Sequence, residues 1–135
     1  VFYVQIINNI REAASSLKFL AQPSLDHLEN KHKELTNLQV DDLQVLAKEF
    51  NKFKNKALEL IEEEGLENID DLKELQYKFI ELTDELKKHQ LKRIKKKKDP
   101  TKASVLFISI LQESKILIFS IVGAMKAYRD FLKNY

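Results

Sequence analysis

The chain has 135 residues, 33% charged and 44% hydrophobic, with two glycines, two prolines, no cysteine and no tryptophan. That length suits one domain with a substantial core, and the lack of cysteine excludes a disulfide framework and thiolate metal sites. A formal net charge of +2 is too small by itself to argue for a nucleic-acid binder. So few glycines and prolines favour long helices, because tight turns and sheet corners consume both. The fold class expected is all-α, an antiparallel up-down-up-down bundle of four long helices in a single domain over 1–135. The helices are expected at about 1–33, 38–64, 69–96 and 100–133, each roughly 40–50 Å long.

The first helix carries a stripe of Tyr3, Ile6, Ile7, Ile10, Ala13, Ala14, Leu17, Leu20, Ala21, Ser24 and Leu28, spaced three and four apart. Its small residues let a neighbouring helix come close. Pro23 falls inside the pattern and predicts a kink, since the stripe resumes in phase at Leu28. No cap precedes this helix, no signal-peptide pattern is visible, and Val1 is not an initiator methionine. The expectation is a piece of a longer chain.

Thr36-x-x-Gln39 offers a capping box for the second helix, with Asp41 and Asp42 suited to its first turn. Its stripe is Leu43, Leu46, Ala47, Phe50, Phe53, Ala57, Leu60 and Ile61, and Gly65 is the natural left-handed stop. The third helix should open at Asn68, with Asp70 and Asp71 behind it, and bury Leu72, Leu75, Phe79, Leu82, Leu86 and Ile94. Asp99-Pro100 reads as cap and first residue of the fourth helix.

That fourth helix is apolar on two sides. Leu106, Phe107, Ile110, Leu117, Ile118, Ile121, Met125 and Tyr128 form one broad face, while Val105, Ile108, Ile116 and Phe119 stand on the other among Gln112 and Lys115. Three companion helices cover one face, so the second calls for a further partner. It is not expected to cross a membrane, because Gln112-Glu113-Ser114-Lys115 would place two charges at mid-depth, costing about 2.5–3.5 kcal/mol each.

Charge divides the bundle end from end. The turn between the second and third helices is acidic from Glu59 through Glu74, and the opposite end gathers Lys87, Lys88, Lys92, Arg93, Lys95, Lys96, Lys97, Lys98 and Lys102, with Lys31 and Lys33 nearby. The first reading of that basic end is a solvated helix terminus complementing the macrodipole. The second is a patch for an anionic membrane surface or partner, with Lys95 to Lys98 in contact. The third, a nucleic-acid site, lacks interleaved aromatics and a recognition fold.

No catalytic constellation is present: there is no glycine-rich phosphate loop, nucleophile elbow or paired His-carboxylate motif. His27, His32 and His89 do not converge by spacing and read as surface residues, so no metal or cofactor is implied. Glu12 and Glu113 border apolar stripes and read as boundary positions reaching solvent.

Two stretches resemble a known family. One is Asn9-Ile10-Arg11-Glu12-Ala13-Ala14-Ser15-Ser16-Leu17, continuing through Ala21-Gln22-Pro23 to Asp26-His27. The other is His89-Gln90-Leu91-Lys92-Arg93-Ile94, then Ser104-Val105-Leu106-Phe107, Ile110-Leu111-Gln112-Glu113-Ser114-Lys115 and Lys126-Ala127-Tyr128-Arg129-Asp130-Phe131. Together they resemble the C-terminal PhoU-like cytoplasmic region of bacterial sodium/phosphate cotransporter family proteins. The resemblance implies a helical domain on the cytoplasmic face of the bacterial inner membrane, following segments that move sodium and phosphate. PhoU proteins also carry Glu or Asp followed four residues later by Asp as a metal-binding pattern. Here Glu12 is followed by Ser16 and Glu113 by Leu117, so the second carboxylate is missing and a metal cluster of that kind is not expected.

The function expected is regulatory packing and not catalysis. Val105, Ile108, Ile116 and Phe119 would meet the membrane portion of the same transporter, another helical protein or a second copy. A free-standing PhoU-like regulator of phosphate uptake or signalling is the alternative, followed by a bundle that binds anionic lipid or nucleic acid through the lysine turn.

Overall fold

The computed structural model describes residues 4, 8, 35–62 and 66–134. The described residues hold no strand and comprise α1 (Asn37–Glu62), a 3-10 segment (Leu66–Asp71), α2 (Leu72–Lys95) and α3 (Thr101–Lys133). Of the expected first helix, only Val4 and Asn8 are described, both helical. The rest of its stripe, the Pro23 kink and the stop at Gly65 lie outside the described residues.

α1 starts where its capping box directs. The Thr36 backbone N–H donates to Gln39 Oε1 at 3.0 Å, and the Gln39 N–H donates back to Thr36 Oγ1 at 3.2 Å. Two otherwise orphaned donors are thereby satisfied. Asp41 and Asp42 fall past the first turn, which carries no acidic residue. Asp42 faces the neighbouring helix instead and pairs with Arg93 at 3.0 Å.

The expected opening of the third helix at Asn68 is corrected. Asn68 sits at φ −93°, ψ 21° inside the 3-10 segment, and α-helix begins only at Leu72. The reason is the spacing of Leu66, Ile69 and Leu72, which are three apart. A 3-10 turn eclipses residues i and i+3, so all three enter the core together, and all three are buried. Phe79 and Leu86 continue this face, with Leu75 and Leu82 partly buried against it. Ile94, expected inside, is exposed, and Gln90 takes the inward place.

The start of α3 also departs from expectation. Its first helical residue is Thr101, with Pro100 in the capping position at φ −60°, ψ 142° and no side-chain cap. Asp99 does not cap, because its carboxylate is taken by Gln39, Gln90 and Arg93. Leu111, Ser114 and Val122 join Phe107, Leu117, Ile118 and Met125 among the buried residues, whereas Tyr128 is exposed.

Cross-helix partners define the topology. Asp42 meets Arg93 and Phe50 meets Phe79, so α1 and α2 run antiparallel. Lys115 meets Asp84 and Ser104 meets Gln90, so α2 and α3 do too. α2 packs on both neighbours, while α1 and α3 scarcely approach one another. Phe53, Phe79 and Phe107, one per helix, are fully buried at the centre, each stabilising the fold by about 1.5–3 kcal/mol. Phe50 adds an edge-to-face contact with Phe79 at 6.1 Å between ring centres.

By length and composition α3 passes the test for a membrane span, as the core helix of a soluble protein also does. Its most apolar window has a mean hydropathy of 1.9, and the helix is long and apolar enough to cross a bilayer. In this structure it lies along α2 with 39% of that window buried, and Lys115 donates to Asp84 Oδ1 at 3.0 Å.

Candidate functional site

Two surface features stand out once the helices are placed. The first is the outer seam between α2 and α3. Lys115 and Asp84 set the register there, and a groove of about 590 Å³ lies beside them. Tyr77, Ile80 and Phe119 line it, with Lys73, Glu74, Gln76, Lys78 and Glu81 around the rim. Tyr77 is 65% exposed and Phe119 52%. Further along, the antiparallel register sets exposed Leu91 level with Val105, which is 61% exposed.

Of the four residues expected to meet a partner, Val105 and Phe119 are exposed, while Ile108 and Ile116 are half-buried. Ile116 sits about 60° around α3 from Phe119. Reading α3 alone missed the contribution of α2. The signal was present: Tyr77, Ile80, Leu91 and Ile94 recur at helical spacing, roughly 100° away from the stripe of Phe79 and Leu86. Surfaces of this kind bind by excluding water between apolar side chains while the charged rim stays solvated.

The second feature is the tip where α2 turns into α3. Asp99, 5% exposed at its side chain, accepts from Gln90 Nε2 at 3.0 Å and Gln39 Nε2 at 3.4 Å, with Arg93 Nε at 3.3 Å. Gln90 Nε2 also donates to Ser104 Oγ at 3.0 Å. Arg93 donates to Gln90 Oε1 and to Asp42 Oδ2, and its guanidinium lies 5.7 Å from the ring centre of Phe107. Low local dielectric strengthens such bonds and makes any unpaired member expensive. The node ties the first turn of α1, the last turns of α2 and the first turn of α3 together.

The lysines lie just outside this node. Lys95, Lys96, Lys97 and Lys98 are all exposed. The Lys97 N–H donates to the Ile94 carbonyl at 2.9 Å and the Lys98 N–H to the Arg93 carbonyl at 3.2 Å. Those two bonds make a Schellman turn, whose left-handed position usually belongs to glycine. Lys97 holds it here at φ 52°.

His89 is exposed and Glu113 half-buried; Glu12, His27 and His32 fall outside the described residues. Among the described residues, no group of three or more His, Cys, Asp or Glu side chains comes together in a way that could hold a metal ion. Compared with known proteins, the chain matches no family model, no curated protein and no solved structure.

Proposed function

We propose that this chain is a helical interaction module, acting by packing its α2–α3 seam on another helix and not by catalysis. The observation that carries this reading is the shared exposure of Val105, Tyr77 and Phe119 along one seam. Scattered exposed apolar residues need no explanation, but a groove lined by Tyr77, Ile80 and Phe119 with a charged rim is the pattern of a docking surface, with Val105 further along the same seam. Covering one half-exposed aromatic side chain contributes about 1 kcal/mol, so the seam as a whole supports a weak, regulable contact.

In its finer form, the proposal follows the PhoU-like resemblance. The chain is then a regulatory domain on the cytoplasmic face of a bacterial inner membrane, attached to a sodium-dependent inorganic phosphate transporter. It biases transport by leaning on the membrane portion of that transporter. The fold in this reading is a four-helix bundle, with residues 1–34 supplying the fourth helix. Its support is geometric: α2 stands between α1 and α3, and an apolar cleft of about 380 Å³ lies opposite, lined by Leu43, Phe50, Phe79, Ile110 and Leu117 among others. An up-down-up-down arrangement would set its fourth helix against that cleft.

Replacing Ile108 and Phe119 with serine tests the seam. The circular dichroism of the chain should stay helical while sedimentation shows weaker association with its partner helix or a second copy. Unchanged sedimentation overturns the reading. Removing residues 1–34 should lower the thermal midpoint by uncovering the cleft; an unaltered midpoint removes the four-helix form. A reading frame without hydrophobic spans ahead of Val1 removes the transporter.

A further inference from the structure

Lys97 occupies a backbone position that penalises it. A residue with a Cβ at positive φ costs on the order of 1 kcal/mol where glycine costs nothing, and Lys97 stands at φ 52°. The neighbouring sequence could have accommodated glycine there, because the Schellman turn needs only backbone groups at that point. What lysine offers at this turn and glycine would not is an exposed cation for use at the surface.

The surroundings say what that use is. Lys92, Lys95, Lys96, Lys98 and Lys102 are exposed on the same tip as Lys97. The N-termini of α1 and α3 end there as well, each adding a partial positive charge. The C-terminus of α2 ends there with the opposite partial charge, and the lysines outweigh it. Among the described residues, the tip carboxylates Asp42 and Asp99 both face Arg93, leaving Asp41 exposed. Exposed apolar side chains stand beside the lysines, Leu38 on the first turn of α1 and Ile94 on the last turn of α2. The buried node of Asp99, Gln39, Gln90 and Arg93 holds all of this on one frame, so little ordering is needed on contact.

We propose that this tip docks on an anionic lipid bilayer surface, with the lysines over the headgroups and Leu38 and Ile94 entering the interface. Charge complementarity selects the bilayer. Basic residues attract acidic lipid, and flanking aliphatic side chains add insertion that a soluble polyanion would not reward. Nucleic acid would instead draw on stacking aromatics, and among the described residues none of the exposed aromatics is at this tip. The proposal is independent of the seam and of the transporter assignment.

The test is co-sedimentation of the full chain with vesicles of phosphatidylcholine, with and without phosphatidylglycerol. Binding should require the anionic lipid and weaken as salt rises. Lys96→Gln with Lys98→Gln should lower it by about thirtyfold, whereas Lys48→Gln with Lys54→Gln, the same charge change on the side of α1, should leave it within about twofold. Leu38→Ser with Ile94→Ser should cost about tenfold without altering the salt dependence. Lys97→Gly separates function from fold: the variant should melt at a higher temperature yet bind about fivefold less tightly. Equal binding to pure phosphatidylcholine, an equal loss from the α1 pair, or binding to duplex DNA with none to vesicles would each overturn the proposal.

Discussion

The chain makes its two described reversals with opposite chemistry. Between α2 and α3 it turns on a node of Gln39, Gln90, Arg93, Asp99 and Ser104, in which donors and acceptors are matched across three helices. On the way from α1 to α2 it passes through Leu66, Ile69 and Leu72, which enter the core as three buried aliphatic side chains in a row. An apolar plug tolerates small shifts, because burial depends on area and not on direction. Directional bonds do not, so the polar tip is the more defined of the two and the better platform for a surface that must present charges in fixed places.

The comparison can be broken by mutation, beginning with the largest effect. Leu72→Ala should destabilise the chain by about 3 kcal/mol, measured by denaturant unfolding, because it leaves a void under the 3-10 segment. Asp99→Ala should cost about 2 kcal/mol, from charge-assisted bonds lost and the Arg93 and Gln90 donors left short. If Asp99→Ala proves costlier than Leu72→Ala, the polar tip is the stronger lock and the ranking inverts. Thr36→Ala removes one half of the capping box, and a loss of about 1 kcal/mol is expected in the same experiment. Lys73→Ala should change stability by less than about 0.5 kcal/mol, since its contact with Asp70 spans 3.7 Å and both side chains are largely exposed.

Much of the architecture was legible in the residues, for identifiable reasons. The Thr36–Gln39 box is local, involving two side chains three residues apart, and it forms as its spacing requires. The Phe79 and Leu86 face follows from helical period alone. The expected start at Asn68 failed because acidic residues suit the entrance of any helix, whereas the three-residue spacing of Leu66, Ile69 and Leu72 selects a tighter turn. Asp99 looked like a cap because Asp-Pro is a strong local signal. It lost that role to partners on helices far away in sequence. Ile94 was placed inside on hydrophobicity, yet the inward position went to Gln90, whose amide has Asp99 and Ser104 to satisfy it.

The candidate surfaces divide in the same way. Val105 and Phe119 could be picked out from the excess apolar residues of one helix. Tyr77 and Leu91 could not be joined to them without the antiparallel register that Asp84 and Lys115 reveal. The lysine run is plain in the sequence, but the left-handed backbone at Lys97 is not, because glycine is the usual marker of that position and none is present.

Composition and periodicity by themselves determined that this chain is helical, roughly where α1, α2 and α3 run and which stripe of each is apolar. These depend on interactions within a few residues, where spacing translates directly into geometry. Only the tertiary structure decided that Asp99 turns inward, that α2 shares the exposed seam with α3, and that five polar side chains lock the basic tip. Those outcomes required groups up to 60 residues apart to meet, and no local pattern records which distant partner will satisfy a buried charge.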